Sequence, residues 1–345
     1  MITLKEIAKQ AGVSAATVSY VLNGSPKVGE ATKERVLKIV KETGYRSNVL
    51  ARSLRSSKSN IIGVIVEDLQ AKMTPKIIDG INAKAEEKGY QIMLSNLRLM
   101  SKIDAQFSHI SEYQQDIDHA VQTLMGMQVD GIIYVGMHDR CIPHVLNGTE
   151  CPQVYCYCYT RGEGSSVGYD NTEVMYRLTK QFLDKGHRSF GIIAGRSDSE
   201  PSAKRLQGIR KALDEAHVCV DPSMLCYGDW KYEPARKIAC EMLRRENRPT
   251  AIIALNDEMA VGVRDAAMQL QIRIPQELSV SGFDFSDAAQ FVTPHITTVQ
   301  PQLGRMGQRA IEILLNNIEN TEQENITVVL PSRIIDGDSV SGPGI

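Results

Sequence analysis

Residues 3–24 read TLKEIAKQAGVSAATVSYVLNG, and this stretch decides what stands at the front of the chain. Thr3 and Glu6 have capping-box spacing: the hydroxyl can accept the Glu6 amide, and the carboxylate can return the bond. A short helix follows, with Ile7, Ala8 and Ala11 on one face. Gly12 and Val13 make a tight turn, where Gly supplies a backbone conformation that other residues resist. Ser14 then caps a second helix, from Ala15 to about Leu22. Val18, Val21 and Leu22 point inward; Ala15, Ala16, Ser19 and Tyr20 lie near the outer face. A third helix, over 31–43, turns Val36, Ile39 and Val40 inward and stops at Gly44. Two short helices joined by a tight turn and braced by a third form a helix-turn-helix. Its second helix is thin enough to enter the major groove N-terminus first. Three amphipathic helices, taken alone, also fit a protein-binding module.

Outward from this stretch the charge separates. Residues 1–60 hold eleven Lys and Arg against four Glu, a net +7; the rest hold 28 basic and 37 acidic side chains, a net −9. A basic head on an acidic body is the footprint of phosphate-backbone binding, although charge alone also fits a solvated basic surface. A chain of 345 residues is too long for one ordinary core and fits two or three domains. No apolar run approaches the roughly 20 residues that cross a bilayer, and Lys5, Glu6 and Lys9 interrupt any signal-peptide-like stretch. A cytoplasmic protein with no membrane contact is expected. The cysteines (Cys141, Cys151, Cys156, Cys158, Cys219, Cys226 and Cys240) are odd in number and lack structural-zinc spacing, which reads as reduced thiols with no metal and no cofactor. Walker, Gly-x-Ser-x-Gly and His-Glu-x-x-His motifs are absent, and no Gly-x-Gly-x-x-Gly follows the first strand. The expectation is that the chain is not an enzyme.

From residue 60 the texture changes to short apolar runs separated by amphipathic helices. Strands are predicted at 61–66, 91–95, 131–135, 154–157 and 167–169, then at 190–194, 225–227, 251–255 and 279–283. Helices are predicted at 75–88, 116–127, 172–185, 202–216, 234–245, 257–270 and 304–317. This alternation implies parallel sheets covered on both faces. Two such successions imply two lobes, with ligands outside the carboxyl ends of the strands.

Continued by Gly44-Tyr45-Arg46-Ser47-Asn48 and Ala51-Arg52-Ser53-Leu54, the opening stretch resembles, nearly position for position, the head of the lactose/galactose/purine repressor (LacI/GalR) family. The resemblance implies an N-terminal all-α helix-turn-helix headpiece with a hinge helix, followed by an α/β two-lobed body of the periplasmic-binding-protein-like (type I) kind with parallel sheets. The headpiece would span 1–46, the hinge helix and linker 47–59, and the body 60–345. The N-lobe would take about 60–160 and 297–330, the C-lobe about 161–296 and 331–345. The implied DNA contacts are Thr3, Ser14, Ala15, Ala16, Thr17, Ser19, Tyr20, Asn23, Tyr45, Asn48, Ala51, Arg52 and Leu54. Leu54 matches the family's minor-groove wedge, which kinks the duplex toward more protein contact. Ala15 and Ala16 match variable base-reading positions, where Ala can touch only a thymine methyl. Tyr20 stands where many members have Arg and replaces that residue's guanine contact with one to phosphate or sugar.

The body carries the resemblance through Leu255-Asn256-Asp257-Glu258-Met259-Ala260-Val261-Gly262, Val280-Ser281-Gly282-Phe283-Asp284 and Thr297-Thr298-Val299-Gln300-Pro301. Pro331-Ser332-Arg333-Ile334-Ile335 matches a final strand expected to join the N-lobe, although the division at 330 leaves its lobe open. An effector is implied against Asp68, Tyr157, Arg205, Trp230, Asn256 and Asp284. Arg205 begins an Arg-x-x-Gly pattern, Asp284 accepts hydroxyls or amines, and Trp230 stacks on a flat or apolar ligand face. Tyr157 replaces a carboxylate found in some sugar-binding members. The loop 68–75 lacks the aromatic pair of purine-binding members, so a sugar or sugar derivative is expected. The function implied is a repressor that binds a palindromic operator on double-stranded DNA as a homodimer and is switched by a small effector. Control by a protein co-repressor is the alternative within the family; a solute-binding protein suits the body but not its basic head.

Overall fold

The computed structural model describes residues 2–22, 25–45, 58–103, 107–320 and 325–343, which fall into two compact units divided after Asn60. In the first, α1 (Leu4–Ala11) opens with the capping box: Thr3 Oγ1 accepts from the Glu6 amide at 3.3 Å, and Glu6 Oε2 accepts from the Thr3 amide at 2.7 Å. Gly12 at φ +65° closes α1. Ser14 Oγ accepts from the Thr17 amide (3.1 Å) to start α2 (Ala15–Leu22). α3 (Glu30–Thr43) ends on Gly44 at φ +62°. Ile7, Ala8, Ala11, Val18, Val21 and Val36 form the buried centre, with Leu22, Ile39 and Val40 half-buried against it. So small a core is held by a few side chains, each worth about 1.5–3 kcal/mol when fully buried.

In the second unit, β1 (Ile61–Val66), β2 (Gln91–Asn96), β3 (Gly131–Val135), β4 (Gln153–Cys156), β5 (Ser165–Tyr169) and β11 (Thr327–Leu330) make a wholly parallel sheet in the order β11-β5-β4-β3-β1-β2. β6 (Phe190–Ala194), β7 (Leu225–Tyr227), β8 (Ala251–Ala254) and β9 (Ser279–Ser281) make a second, in the order β7-β6-β8-β9. The central strands β3, β6 and β8 are buried along their whole length, as strands covered on both faces must be. β10 (Thr298–Gln300) and β12 (Arg333–Ile335) pair antiparallel in the crossover region. The helices are α4 (Thr74–Glu87), α5 (Met100–Ile103), α6 (Gln114–Gly126), α7 (Asn171–Asp184), α8 (Glu200–Glu215), α9 (Tyr232–Leu243), α10 (Asp257–Gln269), α11 (Asp287–Phe291) and α12 (Leu303–Glu319).

Two boundaries differ from the sequence reading. The C-lobe was expected from 161, but β5 pairs with β4 in register (Val154 opposite Ser165) and belongs to the first sheet. The final strand was expected at 331–335, with its lobe left open. Instead Thr327–Leu330 joins that sheet beside β5, and Arg333–Ile335 turns away to pair with β10. Pro331 lies between them and has no amide to continue the ladder. Among the described residues of the long connection after β2, Ile103 of α5 and Ile110 of a 3-10 turn (Phe107–Tyr113) ahead of α6 are buried.

Candidate functional site

On the headpiece, the outer face of α2 presents an exposed Ala16 and a Tyr20 that is 46% exposed. The Lys27 ammonium lies 5.9 Å from the Tyr20 ring centroid. Ala15 and Ser19 are half-buried beside them. Thr3 and Ser14 spend their hydroxyls on helix caps, Thr17 shares a 2.9 Å hydroxyl bond with Ser14, and Tyr45 is half-buried against the headpiece core. Asn23, Asn48, Ala51, Arg52 and Leu54, and with them the expected hinge helix, lie outside the described residues.

In the body, polar and aromatic side chains converge where the strands of both sheets end. The centre is Arg205, 3% exposed on α8. Its Nε donates to Asn171 Oδ1 (2.8 Å), Nη2 to the Tyr169 hydroxyl (3.1 Å), and Nη1 to the Leu255 carbonyl. The guanidinium carbon lies 3.4 Å from the Phe283 ring centroid and 5.4 Å from that of Trp230. Asp284 Oδ1 stands 4.0 Å from Nη2, too far for a hydrogen bond. The Arg-x-x-Gly pattern has a steric cause: a Cβ on Gly208 would sit 2.1 Å from the Thr172 carbonyl oxygen. Only glycine lets α8 dock on α7 closely enough for Arg205 to reach Asn171.

Several of these residues sit in backbone conformations that side chains resist. Tyr157 (φ +60°), Trp230 (+65°), Asp284 (+116°) and Phe285 (+53°) each follow the end of a strand. Such conformations cost on the order of 1–3 kcal/mol each and cluster at functional sites. The Trp230 indole crowds Gly195, where a Cβ would fall 2.1 Å from the ring. Its Nε1 is buried without a hydrogen-bond partner. Asn256 caps α10 by accepting from the Met259 amide (2.8 Å) and donates to the Trp230 carbonyl (3.1 Å), so it positions the tryptophan from behind. Tyr157 is buried and stacks on Tyr169 with ring centroids 5.9 Å apart. Asp68 stands apart from this cluster: its oxygens accept from the amides of Gln70 (2.8 Å) and Met100 (3.0 Å), which ties down two loops.

The electrostatics are those of a half-desolvated site. Burial pushes the Asp284 carboxyl up to about 7, against the pull of Arg205. Burial also lifts Asp257 to about 6, although its oxygens accept from the Ser286 amide (2.6 Å) and the Thr298 hydroxyl. His138, just past the end of β3, is driven down to about 3 by burial and by Arg140, Arg205 and Arg196, so its imidazole is neutral. Sequence reasoning missed His138, Tyr169, Asn171 and Phe283 as site residues. Their positions at or just beyond the strand carboxyl ends were the available signal. Two depressions flank Asp284, one of about 290 Å³ and one of about 240 Å³. Beside the second, the exposed Lys72 of the first lobe bridges to Glu258 of the second.

Comparison with known proteins places both parts of the chain. Residues 3–48 match the model for bacterial regulatory proteins of the lacI family, and residues 179–340 match that for the periplasmic binding protein-like domain. The HTH-type transcriptional repressor PurR of Proteus mirabilis (strain HI4320) is 31% identical over 347 residues, covering 100% of this chain and 99% of its own. Among solved structures, a transcriptional regulator CelR–cellobiose complex is 27% identical with a TM-score of 0.66, covering 98% of this chain and 100% of that one. A lac repressor dimer bound to operator and the anti-inducer ONPF is 23% identical with a TM-score of 0.80, covering 99% of both chains.

Proposed function

The chain belongs to the lacI family of bacterial regulatory proteins and is a DNA-binding transcriptional repressor, and from this premise we propose that a small effector, a sugar or sugar derivative, controls it from the cleft between its lobes. The observation that carries the proposal is the Arg205–Asp284 pair. A buried guanidinium and a carboxylate 4.0 Å apart, both beyond the carboxyl ends of strands of the second sheet, leave room for ligand hydroxyls to bond to both. The unpartnered Trp230 Nε1 offers a further donor, and its indole offers a flat face to a sugar ring. A cellobiose-bound relative of the same fold supports the ligand class. The repressor acts as a homodimer in the cytoplasm, so that two α2 helices read a roughly palindromic operator. Effector binding changes the lobe angle and with it the operator affinity, because the ligand binds one conformation better than the other.

A thermal-shift screen of the full chain against sugars, sugar phosphates and nucleosides finds the effector, since a ligand of the folded state raises its melting point. Asp284→Ala then removes the response while operator binding persists. Undiminished effector affinity for that variant in isothermal titration would place the site elsewhere.

A further inference from the structure

The 290 Å³ depression beside Asp284 has a chemistry of its own. It is walled by Lys76 of α4, Arg305 in the first turn of α12 and Arg333 at the start of β12, with Gln300 and Gln302 between them. Among the described residues none of these three cations is paired with a carboxylate, whereas Lys72, Lys84 and Arg309 nearby in sequence all are. The only carboxylate on the wall is Asp284, which already faces Arg205. The opening turn of α12 adds no acidic residue and no side-chain cap. Three like charges around one hollow repel one another, weakly because water screens them; an anion seated among them turns repulsion into attraction.

We propose that this depression receives the phosphate of a phosphorylated effector whose polyhydroxylated body lies in the adjoining Arg205–Asp284 cleft. The inference rests on the cleft reading above and sharpens its ligand class. Geometry favours a terminal phosphate. The volume is at the small end for a ligand pocket and readily takes a phosphate with its ester carbon. Asp284 is the shared wall through which the two spaces meet. Two arginines match the fork geometry of phosphate oxygens, and Lys76 adds a point charge from the first lobe. A ligand held by Lys76 on one lobe and by Asp284 on the other would clamp the two lobes together.

The test uses the full-length protein and two probes: inorganic phosphate against chloride at equal ionic strength, and hexose and pentose monophosphates against their free sugars. Phosphate should raise the melting point, and at least one ester should bind about tenfold or more tighter than its free sugar. Arg305→Gln/Arg333→Gln should erase both differences while leaving the unliganded melting point within a degree or two, since both side chains are exposed. Lys76→Met is a second variant on a separate element and should weaken the ester and inorganic phosphate while leaving the free sugar unchanged. Phosphate protection that survives the double variant overturns the proposal. So does an ester that binds no tighter than free phosphate, which would assign the hollow to the inorganic ion. The two readings fail separately: if Asp284→Asn leaves ester affinity intact the cleft is wrong, and if only the arginine variants do so the anion pocket is wrong.

Discussion

Asp284 carries a consequence for stability as well as for binding. Its carboxyl is held near 7 in the folded protein, against an ordinary value of 3.8. Between these values the folded state binds the extra proton, so this group's contribution to stability is greatest below about pH 4 and is lost as pH rises through 7. Asp284→Asn removes the penalty. Urea unfolding should show the variant gaining little at pH 4.5 and on the order of 1–3 kcal/mol at pH 8, even as it loses its effector. A gain that is equal at both pH values would mean the carboxyl is not desolvated. Trp230 supplies the matching readout, because it is the chain's single tryptophan. Effector binding should shift its emission, and Trp230→Phe should abolish the signal; emission unchanged at saturating effector would put the indole outside the site. The sequence singled out these two residues and Arg205 by family position, and the fold brings the three together. Asn171 and Tyr169 were not, since nothing local marks a side chain whose role is to hold the arginine of another helix. Asn256 was expected to contact the effector; the structure shows it capping its helix and bracing Trp230.

At the scale of elements, the helices predicted from periodicity begin and end within two residues of those observed. Apolar stripes and caps are local features, and α8 can be read from its own sequence. What could not be read is which sheet receives an edge strand. β11 is short and lies at the margin of its sheet, and its membership depends on β5, more than 150 residues away. Helix docking shows how such distant dependence reaches the site. A methyl at Gly208 would collide with the Thr172 carbonyl, whereas a Cβ on Gly126 of α6 meets nothing within 4 Å. Gly208→Ala should therefore cost about 1–3 kcal/mol or more and weaken effector binding by displacing Arg205, although residue 208 touches no ligand. Gly126→Ala should be neutral or stabilise by about 0.4–1 kcal/mol. Full effector affinity in a folded Gly208→Ala protein, measured by titration, would show that the spacing of α7 and α8 does not set the arginine.

For the whole molecule, charge and linkage make the deciding arguments. The +7 head and −9 remainder confine favourable DNA contact to the head, because an acidic body repels phosphate. In the proposed homodimer, two heads that each neutralise several phosphates should give operator affinity a log–log salt slope of about −5 or steeper, since each neutralised phosphate contributes about −0.9. A slope near zero would remove the phosphate contacts. Leu54→Ala belongs to the same experiment: an apolar wedge contributes no counterion release, so the variant should lose operator affinity at every salt concentration without changing the slope. Unaltered operator affinity would deny Leu54 that role. The effector enters through reciprocity: whatever factor it applies to operator affinity, operator must apply to effector affinity. Trp230 emission makes the second half of the cycle measurable, by titrating effector into the repressor alone and into the repressor saturated with operator. Typical coupling corresponds to a 5–150-fold difference between the two curves, roughly 1–3 kcal/mol. Coincident curves, obtained with an effector that demonstrably fills the cleft, would mean that the lobes close without informing the head. The cleft would then be a binding site with no regulatory reach.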